Sequence, residues 1–291
     1  MNKVLERMLS RYTLSNSRDA VNAVREIIQE IALYGLWQGG FFRETAFYGG
    51  TALRILYGLD RYSENMDFSL LKKDTNFSFE PYREPLLNVL GDLGFDVQFL
   101  PRVKPSNGGV WSTFLKGDTL SHMMVIGIPE EIPRTALIRK TLKIKIEVDI
   151  DPPGGFKTER RPVLDPISYT VKVYERPSLF AGKMNAVLFR RWKKRVKGRD
   201  WYDMVWYLQN RIPVNLAHFE AKMRQSGDWD KTRSLSESDF IKFYNTRAAE
   251  LDVEKALEDV IPFLRDTGNI EKVWSNDFFI SLADKFTFLR E

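Results

Sequence analysis

Residues 47–54 read Phe47-Tyr48-Gly49-Gly50-Thr51-Ala52-Leu53-Arg54, and residues 61–70 read Arg61-Tyr62-Ser63-Glu64-Asn65-Met66-Asp67-Phe68-Ser69-Leu70. A short apolar run that enters two glycines and continues at helical spacing predicts a strand, a tight turn and a helix. Such a turn leaves backbone N–H groups and the positive helix end facing outward, and phosphate is their natural occupant. In the strand that follows, alternation buries Met66 and Phe68 and presents the Asp67 carboxylate on the opposite face. An anion cradle beside a carboxylate that can hold a hard divalent cation is what nucleotide-triphosphate chemistry requires.

Outward from these segments the pattern mixes helix and strand. Val21, Val24, Ile27, Ile28, Ile31 and Ala32 recur at helical spacing over 17–34, with Asn16 or Ser17 as the cap. Further helices are expected at 51–57 and at 81–93, the latter ended by Gly94, and strands at 66–71, 95–100, 110–115 and 120–128. The clearest strand is 141–150, where Leu142, Ile144, Ile146, Val148 and Ile150 alternate with Lys143, Lys145, Glu147 and Asp149. Asp151-Pro152-Pro153-Gly154-Gly155 ends it, because neither proline donates to a ladder and the glycines permit reversal. Beyond Pro177 the chain reads as successive helices at 178–194, 200–210, 216–223, 236–247, 253–263 and 276–289. The expected architecture is α+β, a mixed sheet with flanking helices over 1–176 and then a helical half over 177–291 that completes the active site.

With 43 % hydrophobic residues in 291, the chain can bury a large core. Its net charge of +5 is too small to mark a nucleic-acid binder, so local charge has to decide. The absence of cysteine excludes disulfides and thiolate metal sites and is compatible with the reducing cytoplasm, the expected location. No apolar run reaches the roughly 18 residues of a membrane span, and the charged first dozen residues do not read as a signal peptide. His122 and His218 stand alone, so neither a histidine-based triad nor a multi-histidine zinc site is expected.

Three further clusters bear on chemistry. Glu147, Asp149 and Asp151 recur at period two, and pairing their strand beside Asp67 would gather carboxylates that need a cation. The plainer alternative is a solvated face on which Lys143 and Lys145 balance the acids. In Ser178-Leu179-Phe180-Ala181-Gly182-Lys183-Met184-Asn185-Ala186, Lys183 stands among small and apolar neighbours, placed to reach a triphosphate or else to snorkel to the surface. Arg190, Arg191, Lys193, Lys194, Arg195, Lys197 and Arg199 make a local field suited to nucleic acid. Trp192, Trp201 and Tyr202 would add stacking surfaces for unpaired bases, or belong to the core. Asp200 and Asp203 share a helical face, one to anchor an arginine and the other to orient Lys183 or an attacking hydroxyl.

The glycine pair with Asp67, the 145–153 strand, Lys183, and Arg199-Asp200 with Asp203 come in the order of four family motifs. Over residues 20–210 the chain resembles the AbiEii/AbiGii-type toxins, nucleotidyltransferase-like members of type IV toxin–antitoxin systems. The resemblance implies Asp67, Lys183 and Asp200 as catalytic groups. It implies Gly49, Gly50, Thr51, Arg54, Ser63, Lys183, Arg199 and Asp203 around an NTP, and Asp67, Asn65, Glu147 and Asp149 as Mg²⁺ ligands. Arg190, Arg191, Lys193, Lys194, Arg195 and Lys197 are the RNA-binding candidates. The resemblance also implies an antitoxin encoded by a neighbouring gene and growth arrest of the abortive-infection kind. In the MenT branch, nucleotides are attached to the 3′ end of tRNA, which blocks translation. One position departs from the family, whose paired aspartates read here Asn65-Met66-Asp67, and an amide oxygen ligates magnesium without adding charge. The rival readings are a nucleotide- and RNA-binding module that performs no transfer and a metal-dependent nuclease using the same carboxylates with Lys183.

Overall fold

The computed structural model describes residues 2–101, 109–133, 135, 140–190, 196–230 and 232–290. The chain divides into one unit of Met1–Gly58, Tyr62–Pro152 and Glu159–Val173 and another of Leu59–Arg61, Pro153–Thr158 and Tyr174–Glu291.

In the first unit, α1 (Lys3–Leu9) and α2 (Ser17–Gln38) precede β1 (Thr45–Tyr48), α3 (Gly49–Tyr57) and β2 (Met66–Leu70). Then come α4 (Glu80–Asp92), β3 (Gln98–Pro101), β4 (Val110–Asp118), α5 (Thr119–Ile126), β5 (Thr141–Asp149), β6 (Thr158–Val163) and β7 (Tyr169–Tyr174). Among the described residues these seven strands form one mixed sheet in the order β3-β4-β5-β2-β1-β7-β6. β2 runs antiparallel to β1 and parallel to β5, and β1 runs parallel to β7. The alternation of β5 buries Leu142, Ile144, Ile146 and Val148 on the core side. Phe47 stacks on Phe68 across β1 and β2 with ring centroids 4.8 Å apart.

Asn16 caps α2 by accepting from the N–H groups of Arg18 and Asp19. This helix is buried around most of its circumference, including Glu26, Gln29 and Glu30. Each of these is tolerated because it has a partner: Arg54 for Glu26, the Ser63 and Glu64 carbonyls for Gln29, and Arg11 for Glu30.

Residues 120–126 of the strand expected at 120–128 belong to helix α5. The four apolar residues Met123–Ile126 are too few to establish a period, so the caps decide. Asp118 accepts from the Ser121 N–H at one end, and Gly127 closes the other at φ 81°. The strand expected at 95–100 begins only at Gln98, since the Phe95 N–H turns back to the Leu90 carbonyl. β6 and β7 have no counterpart in the sequence reading. β6 is rich in charge and contains Pro162, and it lies at the edge of the sheet, where proline is tolerated.

The second unit contains α6 (Arg176–Phe189), α7 (Gly198–Gln209), β8 (Val214–Asn215), α8 (Leu216–Ser226), α9 (Glu237–Ala249), α10 (Val253–Val260), α11 (Ile270–Val273), α12 (Asn276–Ser281) and β9 (Phe288–Leu289). The helix expected over 276–289 therefore stops at Ser281, and the last residues pair as β9 alongside β8. Phe180, Tyr207, Phe219, Phe240, Tyr244 and Phe279 fill the core. Trp201 joins them, 3 % exposed and 4.9 Å from the Phe279 ring, so it packs the core and offers no platform for a base. Among the described residues no helix is long and apolar enough to cross a membrane.

Candidate active site

In the first unit the site forms where β1 passes into α3. Gly49 has φ 81°, and a Cβ built on it would stand 2.6 Å from Asp67 Oδ2. A side chain is therefore excluded twice, by backbone conformation and by the carboxylate. Strand register sets the rest: Asp67 lies opposite Tyr48 on β1 and beside Glu147 on β5. Glu147 accepts from Lys145 Nζ at 2.6 Å. Asp149, level with Ser69, accepts the Asp151 N–H at 3.0 Å and so helps to end its strand.

The loop before β2 is tied from two sides. Thr51 Oγ1, fully buried, lies 2.8 Å from Ser63 Oγ and donates to the Asn65 carbonyl. Gln29 Nε2 donates to the carbonyls of Ser63 at 3.2 Å and Glu64 at 3.0 Å. The Asn65 residue itself is exposed. Arg54 pairs with Glu26 at 2.7 Å and lies over the Tyr62 ring. Gly49, Thr51, Ser63, Asn65, Asp67 and Glu147 thus form one connected set, whereas Arg54 is engaged with α2.

Among the described residues no three His, Cys, Asp or Glu side chains group closely enough to cage a metal. Mg²⁺ needs no such cage, since it commonly takes one or two carboxylates and completes its shell with water and substrate phosphates. Asp67 and Glu147 in register, with the Gly49 turn against Asp67, fit that donor pattern.

The second unit holds a buried ionic cluster. Lys183 Nζ on α6 lies 2.7 Å from Asp200 Oδ1 and 2.7 Å from Asp203 Oδ2 on α7. Arg61 donates to both oxygens of Asp203, each at 2.6 Å. Burial works against the charge on Lys183, but Asp200 and Asp203 outweigh it and raise its pKa. Burial likewise opposes ionisation of Asp200, yet Lys183, Lys197 and Arg190 hold its carboxyl well below the usual range. Both groups therefore stay charged at neutral pH and act as fixed poles rather than proton carriers.

Arg61 had no role in the sequence reading, because one loop arginine carries no signal of burial. The Asp200-x-x-Asp203 spacing was the available clue, since two carboxylates on one helical face require more than one cation. Arg190 Nη1 stands 3.8 Å from Asp200 Oδ2. Lys197, its pKa lowered first by burial, lines with Arg190 and Asp200 a cavity of about 80 Å³. Arg199 pairs with Asp259 at 3.3 Å and lies over the Phe263 ring. Arg191, Lys193, Lys194 and Arg195, together with Trp192, lie outside the described residues.

A family model described as nucleotidyl transferase AbiEii toxin, type IV TA system, matches residues 31–281. Two crystal structures of Helicobacter pylori proteins match the chain. JHP933 is 15 % identical with a TM-score of 0.47, the match covering 93 % of this chain and 91 % of that one. A second protein, described provisionally as a nucleotidyltransferase, is 15 % identical with a TM-score of 0.44, covering 90 % and 91 %. No curated protein matches the chain.

Proposed function

The chain belongs to the AbiEii nucleotidyl transferase toxin family of type IV toxin–antitoxin systems, and on that premise we propose that it transfers a nucleoside monophosphate from an NTP to an RNA hydroxyl, foremost the 3′ acceptor end of tRNA. The observation that carries this reading is the Gly49 turn pressed against Asp67. A phosphate seated on the turn lies beside a carboxylate, an arrangement that a cation makes favourable. Mg²⁺ suits the all-oxygen donor set of Asp67, Glu147 and the Asn65 amide, and when bound it would neutralise charge on the triphosphate. Asp149 is the further candidate ligand on β5.

The chain's own residues have separable roles. The Gly49-Gly50-Thr51 turn binds phosphate through backbone N–H groups, and Thr51 with Ser63 fixes the loop that carries Asn65. Lys183 serves as a permanent cation for the polyphosphate, with Asp200 and Asp203 holding it charged and oriented. In the transfer, the RNA hydroxyl oxygen bonds to the α-phosphorus, the α–β phosphoanhydride bond breaks to release pyrophosphate, and the hydroxyl proton passes to solvent. Arg190 and Lys197, with the basic residues between them, are assigned to the RNA backbone. The cellular consequence would be blocked translation in the cytoplasm, relieved by an antitoxin from a neighbouring gene.

The test is incubation of the protein with each α-labelled NTP, Mg²⁺ and total tRNA. Label on tRNA is expected from at least one NTP, with loss of at least about a hundredfold in Asp67→Asn, since a charged ligand is replaced by a neutral one. No label from any NTP would overturn the proposal, as would RNA shortening on a sizing gel without added NTP. Asn65→Asp should raise transfer several-fold at limiting Mg²⁺, because it adds a charged ligand. Co-expression with the neighbouring reading frame should restore growth.

A further inference from the structure

Away from the residues assigned above, the first unit carries a groove of about 580 Å³ lined by Trp37, Phe42, Arg43, Arg160, Thr170 and Lys172. Arg43 precedes β1 and Gly49 follows it, so the groove lies toward the other end of that strand, roughly 10 Å or more away at about 3.3 Å per residue. Its volume is that of an ordinary small-ligand site.

Two features define what it would hold. Three cations line it, and among the described residues none of them is ion-paired with a carboxylate. Lys172 Nζ donates to the Arg43 carbonyl at 3.4 Å, and its pKa is lowered by burial and by Arg160. Cations crowded in this way repel one another until an anion arrives. The second feature is Trp37, 40 % exposed although its ring lies 5.8 Å from Tyr34 in a stack and 5.8 Å from Tyr169. Packing on those two rings holds the indole in one orientation at the groove wall.

A ligand that uses both features carries negative charge at more than one point and a flat apolar face. An acidic peptide satisfies the cations and leaves the indole unused. A duplex satisfies the cations but hides its base faces. We infer that this groove binds an unpaired segment of RNA, with phosphates on Arg43, Arg160 and Lys172 and a base stacked on Trp37. The choice of RNA rests on the transfer reading above; the anionic and aromatic character of the ligand does not. Sequence spacing conceals the site, because its residues come from the end of α2, the turn before β1, and strands β6 and β7.

The experiment measures binding of a fluorescein-labelled, unstructured 12-nucleotide RNA to the full chain by anisotropy, in EDTA so that no transfer occurs. Arg43→Glu/Arg160→Glu should weaken binding at least about tenfold and reduce the slope of log K against log salt by about 1.4, two contacts at about 0.7 each. Both positions are exposed, so the melting temperature should not change. Trp37→Ala should weaken binding about tenfold and Trp37→Phe much less, since a phenyl ring still stacks and keeps the packing on Tyr34 and Tyr169. Wild-type affinity and slope in the double variant would overturn the inference. Competition by UMP or a poly-glutamate peptide as effective as that by the strand would also overturn it. Label transfer to tRNA, assayed in parallel, reports the enzymatic reading separately. Unaltered strand binding with transfer intact sinks the groove alone, and groove-dependent binding without transfer sinks the enzyme alone.

Discussion

A methyl group added at Gly49 would stand 2.6 Å from Asp67 Oδ2, on a backbone already at φ 81°. Gly49→Ala should therefore cost about 1–2 kcal/mol in conformation and also displace the carboxylate. Transfer activity is expected to fall at least about a hundredfold while the melting temperature drops only a few degrees, which activity assays and calorimetry would separate. His218 offers a test of pH dependence. Its Nδ1–H donates to the Gly154 carbonyl at 2.8 Å, and burial, then Lys222, push its pKa down to about 4 from the ordinary 6.5. The unfolded chain thus binds this proton first on acidification, so the contribution is fully present above pH 6.5 and is lost as pH falls toward 4. That loss amounts to on the order of 3 kcal/mol at 1.36 kcal/mol per pKa unit. In His218→Gln, denaturant melts at pH 7 and 4.5 should differ by less than in the parent. At this scale the sequence was partly legible: the glycine pair and Asp67 could be named, but Arg61 could not be paired with Asp203.

Between elements, the contact of α7 with α10 rests on Gly198, where a Cβ would come within 1.7 Å of the Ala256 carbonyl oxygen. The only relief is separation of the two helices, so Gly198→Ala should destabilise by about 3 kcal/mol or more, read from urea midpoints. The link between α6 and α7 is ionic. Lys183→Met removes the nearest cation from Asp200 and should cost about 3–5 kcal/mol, with part of that recovered when Asp200→Leu is added. No recovery in the double variant would mean that the pair is not coupled. Periodicity was legible where one face of an element is buried, as in β5. It failed at α5, whose consecutive apolar residues Met123–Ile126 are too few to show a period, and at β6, whose charged edge resembles a loop.

At the scale of the whole chain, the net charge of +5 is modest, and RNA affinity should depend on where the cations lie. If about four phosphates are contacted, raising salt from 50 to 200 mM should weaken single-strand binding about 50-fold, and a flat response would exclude electrostatic binding. The order of the motifs, the mixture of helix and strand, and the family were all set down in the linear sequence, because turn chemistry, helix spacing and strand alternation are local properties. The neighbour relation of Asp67 and Glu147, the grip of Arg61 on Asp203, and the gathering of Trp37, Arg43, Arg160 and Lys172 were decided by tertiary structure alone. Strand register and loop closure bring together residues separated by tens of positions, and no local spacing encodes which of the possible partners will meet.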